Sequence, residues 1–294
     1  MLRITTLLLI LVAISSCSNK KTETEPLTAE HKAKIVGLSK DLIKSINDFD
    51  FSIVNSTWSN KAFKDRVSNI TGTQKSVFEH IFEKDLKRKI KTGNLSIIHH
   101  INSTNGAASF FNLDHKDHHS ELTILLTYND NFNFFKYRIE IENQKPVLSD
   151  SYNFRDNLWY SEKIINSLRL ASKHNAFSND RRETNIAIHN SDQELLKGDT
   201  LEALYYLYDI PTTHQTGNWL SFRKLTLAQS LSDSVYASVM VTEYENNKSL
   251  YMKYLYHLYF SDSTDLEKVY DILSEELGES KTLDSLVSSG SFWD

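Results

Sequence analysis

Apolar residues recur every three or four positions along residues 28–49, the spacing of one face of a helix. Thr28 opens this stretch, at the position where a residue that caps a helix is expected. A similar pattern over 51–67 is interrupted near Asn55 and Ser56, and a further one covers 74–91. The N-terminal third therefore predicts helices.

The apolar period then changes from three or four to two, which is typical of strands with one buried face. In residues 132–142, Phe135, Tyr137 and Ile139 alternate with charged positions. Asn105-Gly106 is a tight-turn signal. The strands predicted from this pattern cover residues 95–101, 107–113, 121–128, 132–142 and 147–152. Their short connections predict an antiparallel meander with helices on one side.

Helical spacing returns after residue 158 and continues to the C-terminus. The helices predicted there cover residues 160–177, 183–197, 200–207, 219–229, 233–245, 249–260 and 265–277. The fold class expected is therefore α+β, with an α+β domain over 28–157 and an all-α domain over 158–294. Such lengths suit two domains of about 100–200 residues each.

Both predicted domains resemble known folds. The element order of the first resembles the cone of cystatin-like or nuclear-transport-factor-like proteins. In the second, residues 197–204 read Lys-Gly-Asp-Thr-Leu-Glu-Ala-Leu, and Ile210-Pro211 follows. This resembles the middle of a tetratricopeptide repeat, in which a small residue such as Ala203 stands where two helices cross. Lys268 and Val269 depart from that pattern in the last helix pair, so the resemblance implies an array of helical hairpins.

The N-terminus has the layout of a secretory signal. Arg3 supplies a positive start, and an apolar run of about eleven residues follows up to Ile14. A membrane-spanning helix needs about 20 apolar residues, so this run is too short to span a bilayer. We therefore expect residues 1–16 to be a signal peptide.

Ile14-Ser15-Ser16-Cys17 resembles the lipobox of bacterial lipoproteins. That resemblance implies cleavage before Cys17, a diacylglycerol on its thiol, and a fatty acyl chain such as palmitate on its new amine. The alternative is an ordinary secreted protein with an unrelated cysteine. Residues 17–27 are then the lipidated cysteine and a polar, flexible tether.

The residues that follow Cys17 also indicate where the protein is located. Ser18 resembles the residue that follows the cysteine in outer-membrane lipoproteins of Gram-negative bacteria. The Asn- and Lys-rich style resembles Bacteroidota, in which an acidic run after the cysteine accompanies surface export. Lys20 and Lys21 have the opposite charge. We therefore expect an outer-membrane lipoprotein that faces the periplasm.

Charge and cysteine content exclude several kinds of chemistry. The net charge is −5, and loss of Arg3 with the signal makes it −6. Nucleic-acid binding needs a concentrated basic face, so we expect no such partner. Cys17 is the only cysteine. Once it is lipidated, the chain has no disulfide, no cysteine nucleophile and no thiolate metal site.

Histidines and acids cluster between two predicted strands, in residues 114–119. His115, His118 and His119 are candidate metal ligands, since imidazole and carboxylate bind Zn²⁺ and similar ions. His99 and His100 point to opposite faces of a neighbouring strand, so at most one could join them. The alternative is a solvated turn, and the sequence predicts no cofactor.

One sequence pattern is typical of penicillin-recognising enzymes. Ser221 and Lys224 form Ser-x-x-Lys, and residues 91–93 form Lys-Thr-Gly. In those enzymes the serine precedes the Lys-Thr-Gly strand, whereas here the order is reversed. We therefore set this interpretation aside and predict no catalytic residue.

Ten tyrosines lie between residues 205 and 270. Exposed tyrosines are frequent in interfaces, although rings of this kind also pack helices together. The first hypothesis is accordingly a non-catalytic lipoprotein whose helical half binds a protein or peptide. The alternative is a small-ligand-binding protein or an enzyme that uses the concave face of the sheet domain. A pocket lined by paired polar groups would favour the alternative, and an exposed aromatic groove would favour the first.

Overall fold

The computed structural model describes residues 26–50, 52–67, 73–82, 106–128, 131–173, 179–211, 218–260, 266–278 and 283. The predicted signal, Cys17 and most of the tether lie outside these residues. So do the predicted strand at 95–101 with His99 and His100, and the Lys-Thr-Gly pattern at 91–93.

The N-terminal helices are α1 (Ala29–Asn47), α2 (Ser52–Thr57), α3 (Asn60–Arg66) and α4 (Thr73–Ile81). Thr28 caps α1 as predicted: its Oγ1 accepts from the backbone N–H of His31 at 3.1 Å. The break in the second helical pattern lies at Trp58 and Ser59, not at Asn55 and Ser56. Ser59 ends the run because its Oγ caps α3, while its N–H donates to the carbonyl of Leu148 at 2.9 Å.

Within the described residues, five strands form one antiparallel sheet in chain order. They are β1 (Ala107–His115), β2 (Ser120–Tyr128), β3 (Asn131–Glu142), β4 (Lys145–Asn153) and β5 (Leu158–Trp159). The predicted meander is confirmed. The two-residue strand β5 was not predicted, since two residues are too few to show a period.

The rest of the described chain is helical, as predicted. The helices are α5 (Tyr160–Lys173), α6 (Asn179–Lys197), α7 (Thr200–Tyr208), α8 (Trp219–Leu231), α9 (Asp233–Asn246), α10 (Leu250–Phe260) and α11 (Leu266–Leu277). Gly198 ends α6 with φ +83°, a backbone conformation that glycine adopts at little cost. Asp199 then caps α7 through the N–H of Glu202 at 3.0 Å. The α+β class is confirmed.

One face of the sheet packs against α1 to α5. Tyr137 and Ile139 of β3 are buried there with Ile35 and Leu42 of α1 and Phe63 of α3. These are the β3 positions whose alternation predicted a buried face. Helix α5 joins the same core through Leu168.

The other face of the sheet is also covered at one end, so the expectation of helices on one side only is wrong. Phe134 and Phe154 are fully buried there. They share a core with Tyr251 and Tyr254 of α10 and with Leu273 of α11. The charged alternation in β3 begins only at Lys136, and the aromatic residues before it give this end of the sheet a second apolar face.

A third core lies among α6 to α10. Ala203 is fully buried there, together with Leu207, Ala228 and Met240. In the part of the chain that the structure describes, no helix is both long enough and apolar enough to cross a membrane.

Candidate functional site

A cavity of about 640 Å³ lies where the turn after β4 meets the helical half. Its walls come from residues 156–158, from Tyr208 at the end of α7, from the start of α8, from the end of α9 and from residues 247–249. We call it the polar cavity, because most of these side chains carry hydrogen-bonding groups.

The floor of the polar cavity is a buried set of three side chains. Lys224 Nζ lies 2.8 Å from Glu243 Oε1, and Ser221 Oγ donates to Glu243 Oε2 at 2.7 Å. The side chains of Lys224 and Glu243 are 4% and 3% exposed. Residues three apart share a helix face, so α8 presents Ser221 and Lys224 together to Glu243 on α9.

A second set of polar groups connects this floor to the turn of the sheet. Asn218 Oδ1 accepts from Asn247 Nδ2 at 2.8 Å and from Ser249 Oγ at 2.7 Å. Asn218 Nδ2 donates to the carbonyl of Arg155 at 2.8 Å, and Asn247 Nδ2 also reaches Ser221 Oγ at 3.1 Å. Because these bonds hold the amides in place, the lining is arranged before any ligand enters.

Tyr208 forms one wall of the polar cavity. The Nζ of Lys224 lies 4.2 Å from the centre of its ring, a cation–π distance. Burial, together with the nearby Glu243 carboxylate, raises the pKa of the Tyr208 phenol to about 12. The hydroxyl is therefore neutral at physiological pH and can donate or accept a hydrogen bond.

The lining carries two acidic and two basic side chains. Lys224 and Glu243 pair with each other. Asp156 lies 3.3 Å from the ammonium of Lys163, and Lys248 lies over the ring of Tyr244 at 4.4 Å. The formal charge of the lining is therefore balanced.

Ser221 and Lys224 of the Ser-x-x-Lys pattern therefore line the polar cavity. They do so as parts of its hydrogen-bonded floor, and the pattern of penicillin-recognising enzymes plays no part in this. Ser221 Oγ donates to Glu243 and accepts from Asn247, so it is held within a hydrogen-bonded floor. Glu243 lies 19 residues after Lys224. No pattern in the sequence marks it as the partner.

The histidine cluster is not gathered into a metal site. His115 Nδ1 is 2.7 Å from Ser120 Oγ, His119 Nε2 is 3.3 Å from Glu121 Oε1, and His118 is exposed. Burial, with a smaller effect of Lys32, lowers the pKa of His115. Among the described residues, no group of three His, Cys, Asp or Glu side chains is placed to hold a metal ion.

Most of the tyrosines in the helical half pack against other rings. Tyr251 and Tyr254 are buried on the sheet, with ring centres 5.1 and 6.1 Å from that of Phe154. Two stacked or edge-on pairs lie between helices: Tyr244 with Tyr256 at 4.0 Å, and Tyr236 with Tyr259 at 5.0 Å. These tyrosines therefore pack elements of the fold together, which was the second of the two interpretations of the sequence.

The sheet face that the alternative function would use as a pocket contains a packed core. Trp58, Phe63 and Phe82 are buried on that side, and the rings of Phe63 and Phe82 stack at 6.3 Å. The polar-lined cavity lies instead between the sheet turn and the helices.

Comparison with known proteins assigns no family. No protein-family model matches the chain, and no curated protein matches it. Among solved structures, it is similar to a phospholipid-binding protein from Ralstonia solanacearum in complex with a phospholipid, at 16% identity and a TM-score of 0.31. The similarity covers 50% of this chain and 88% of the other. At so low a TM-score the two need not share a fold, and neither fold nor ligand follows from it.

Proposed function

We propose that this chain is a lipid-anchored protein of the cell envelope that binds a small polar molecule in the polar cavity. The observation that carries the proposal is the buried Ser221–Lys224–Glu243 floor beneath a cavity of about 640 Å³. Ligand sites are typically clefts of about 300–1,000 Å³ with a few placed polar groups. The lining supplies such groups from five segments of the chain.

A library of polar metabolites, screened by thermal shift on the full mature chain, tests this proposal. A compound that stabilises the chain should lose its effect in Asn246→Trp, because Asn246 lines the cavity and is exposed. Glu245→Trp places the same ring on the neighbouring exposed residue, which does not line the cavity, and should leave the shift unchanged. Equal responses from both variants would place the compound elsewhere and contradict the proposal.

The anchor is proposed from residues 14–17, whose lipobox-like order places Cys17 after two small residues. Two or more acyl chains give stable membrane attachment, and the tether is short. We place the protein on the outer membrane, facing the periplasm. Cys17→Ser should release it from the membrane fraction of its host. Unchanged attachment would refute the anchor without bearing on the cavity.

A second candidate function is the binding of a protein or peptide by the helical half. Large apolar side chains are exposed on α6 and α7: Leu196 is 81%, Tyr205 57% and Ile186 47% exposed. The tetratricopeptide-like and cone-like resemblances remain predictions, and the first of them suits this role. Crosslinking in native membranes should capture a partner that Leu196→Asp loses and that Val241→Asp, at an exposed position of α9, retains. Identical capture by both variants would argue against these helices as the surface.

A further inference from the structure

The charged side chains of the polar cavity already have partners, and for Lys248 the partner is the ring of Tyr244. Lys224 and Glu243 satisfy each other at the floor, and Asp156 lies beside Lys163. Removing one partner of a buried pair leaves an uncompensated charge, which is strongly unfavourable. An ionic ligand that drew Lys224 or Glu243 away would carry this cost. The lining is therefore suited to an uncharged ligand.

The neutral polar side chains of the lining are amides and hydroxyls. Each carboxamide offers an NH₂ donor and a carbonyl acceptor, and each hydroxyl does both. Thr242 Oγ1 already donates to the carbonyl of Ser238, and Ser249 Oγ donates to Asn218 and accepts from the N–H of Met252. The groups that remain for a ligand are the NH₂ of Asn157, whose Oδ1 accepts from Tyr152, the amide of Asn246 and the hydroxyl of Tyr208. A hydrocarbon ligand would bury them without partners, which is unfavourable. A molecule rich in hydroxyl groups matches them, since every hydroxyl also donates and accepts.

Apolar surface is present beside these groups. Leu158 and the ring of Tyr208 supply it, whereas Leu220 reaches the lining from the third core and is buried. A sugar ring presents C–H groups between its hydroxyls, so it needs both kinds of contact at once. We infer that the polar cavity binds a short neutral saccharide. This inference rests on the proposed function and names its ligand class.

Calorimetric titration of the full mature chain with glucose, N-acetylglucosamine, maltose and cellobiose tests the inference. Glucose 6-phosphate, glutamate and inorganic phosphate are the charged comparators. At least one neutral saccharide should bind with one-to-one stoichiometry. Its Kd should change by less than about twofold between roughly 0.02 and 0.5 M NaCl, because salt screens only charged interactions.

The matched variants locate the saccharide. Asn246→Trp should weaken its binding by at least about tenfold, which is about 1.4 kcal/mol, and Glu245→Trp by less than about twofold. Asn246→Ala, which removes the amide without adding volume, should weaken it several-fold, and this variant serves if the tryptophan disturbs the fold. Circular dichroism of each variant monitors folding.

The possible failures are distinguishable. If none of the four saccharides binds at millimolar concentration, or if the two tryptophan variants weaken a saccharide equally, the saccharide inference is overturned. If a charged comparator binds instead and Asn246→Trp abolishes it, the proposed ligand-binding function stands with another ligand class. If neither the titrations nor the metabolite screen finds a compound that is sensitive to Asn246→Trp, both fail.

Discussion

Replacing Lys224 with methionine should lower the free energy of unfolding by about 3–5 kcal/mol, the usual cost of breaking a buried ion pair. The side chain of Glu243 is 3% exposed and has two hydrogen-bond donors among the described residues, Lys224 and Ser221. Methionine fills most of the space of lysine, so little of the loss comes from packing. The variant instead leaves a carboxylate away from water with one neutral donor.

Urea unfolding followed by circular dichroism measures this change, since the free energy of unfolding falls linearly with denaturant. Lys61→Met is the matched control. Lys61 pairs with Asp65 at 3.2 Å, but the two side chains are 74% and 69% exposed. An exposed helix pair of this kind contributes about 0.3–0.5 kcal/mol, so the control should change little.

The double variant Lys224→Met/Glu243→Leu separates charge burial from other effects. Replacing both members of a buried pair with apolar residues is often neutral or stabilising. The second substitution should therefore recover about half or more of the loss. The reasoning is refuted if Lys224→Met costs less than about 1 kcal/mol, or if the double variant is no more stable than the single one.

Four further substitutions test other parts of the fold by the same unfolding assay. Gly37→Ala should stabilise helix α1 by about 0.5–1 kcal/mol, because the space that the added Cβ would occupy is open. Gly198→Ala, at φ +83°, should instead cost about 1–2 kcal/mol. Equal effects of the two substitutions would contradict both predictions. His119 donates a hydrogen bond that holds the pKa of Glu121 below its usual 4.5. This hydrogen bond therefore stabilises the fold above pH 4.5, and the stabilisation is lost as the pH falls through the pKa that Glu121 has in the folded state. The difference in free energy of unfolding between the wild type and Glu121→Gln should therefore shrink in acid. A difference that stays constant with pH would contradict this prediction. Phe134→Ala should cost about 3–5 kcal/mol, since its ring is fully buried between sheet and helices; a cost below 1 kcal/mol would mean that this face is not packed.

Elements with a clear period were predictable from the sequence. Helix α1 and strand β3 each bury one face against a single core, so their apolar residues repeat at the spacing of the element. Thr28 was recognisable for a similar reason, because the cap bond to His31 is local. Gly198 and Asp199 likewise end one helix and begin the next through short-range geometry.

The second buried face of the sheet was not predictable in this way. Phe134 and Phe154 pack on helices more than 90 residues later in the chain. In the sequence, Phe134 interrupts the alternation of β3, and Phe154 follows the end of β4. The residues that cover this face include tyrosines of α10. Their number suggested an exposed surface, but Tyr251 and Tyr254 supply the apolar area that covers the aromatic end of the sheet.

The position of the polar cavity follows from that packing. Phe154 docks on Tyr251, and the chain turns directly afterwards, which brings the carbonyl of Arg155 to Asn218. The turn at 156–158 then faces the helical floor and closes one wall of the cavity. Ser221 and Lys224 could be singled out from their spacing on one helix, but the sequence does not show that a turn of the sheet lies opposite them. The cavity exists because the aromatic end of the sheet and the helical half share one core, so variants that loosen this core should also weaken the ligand binding that we propose for it.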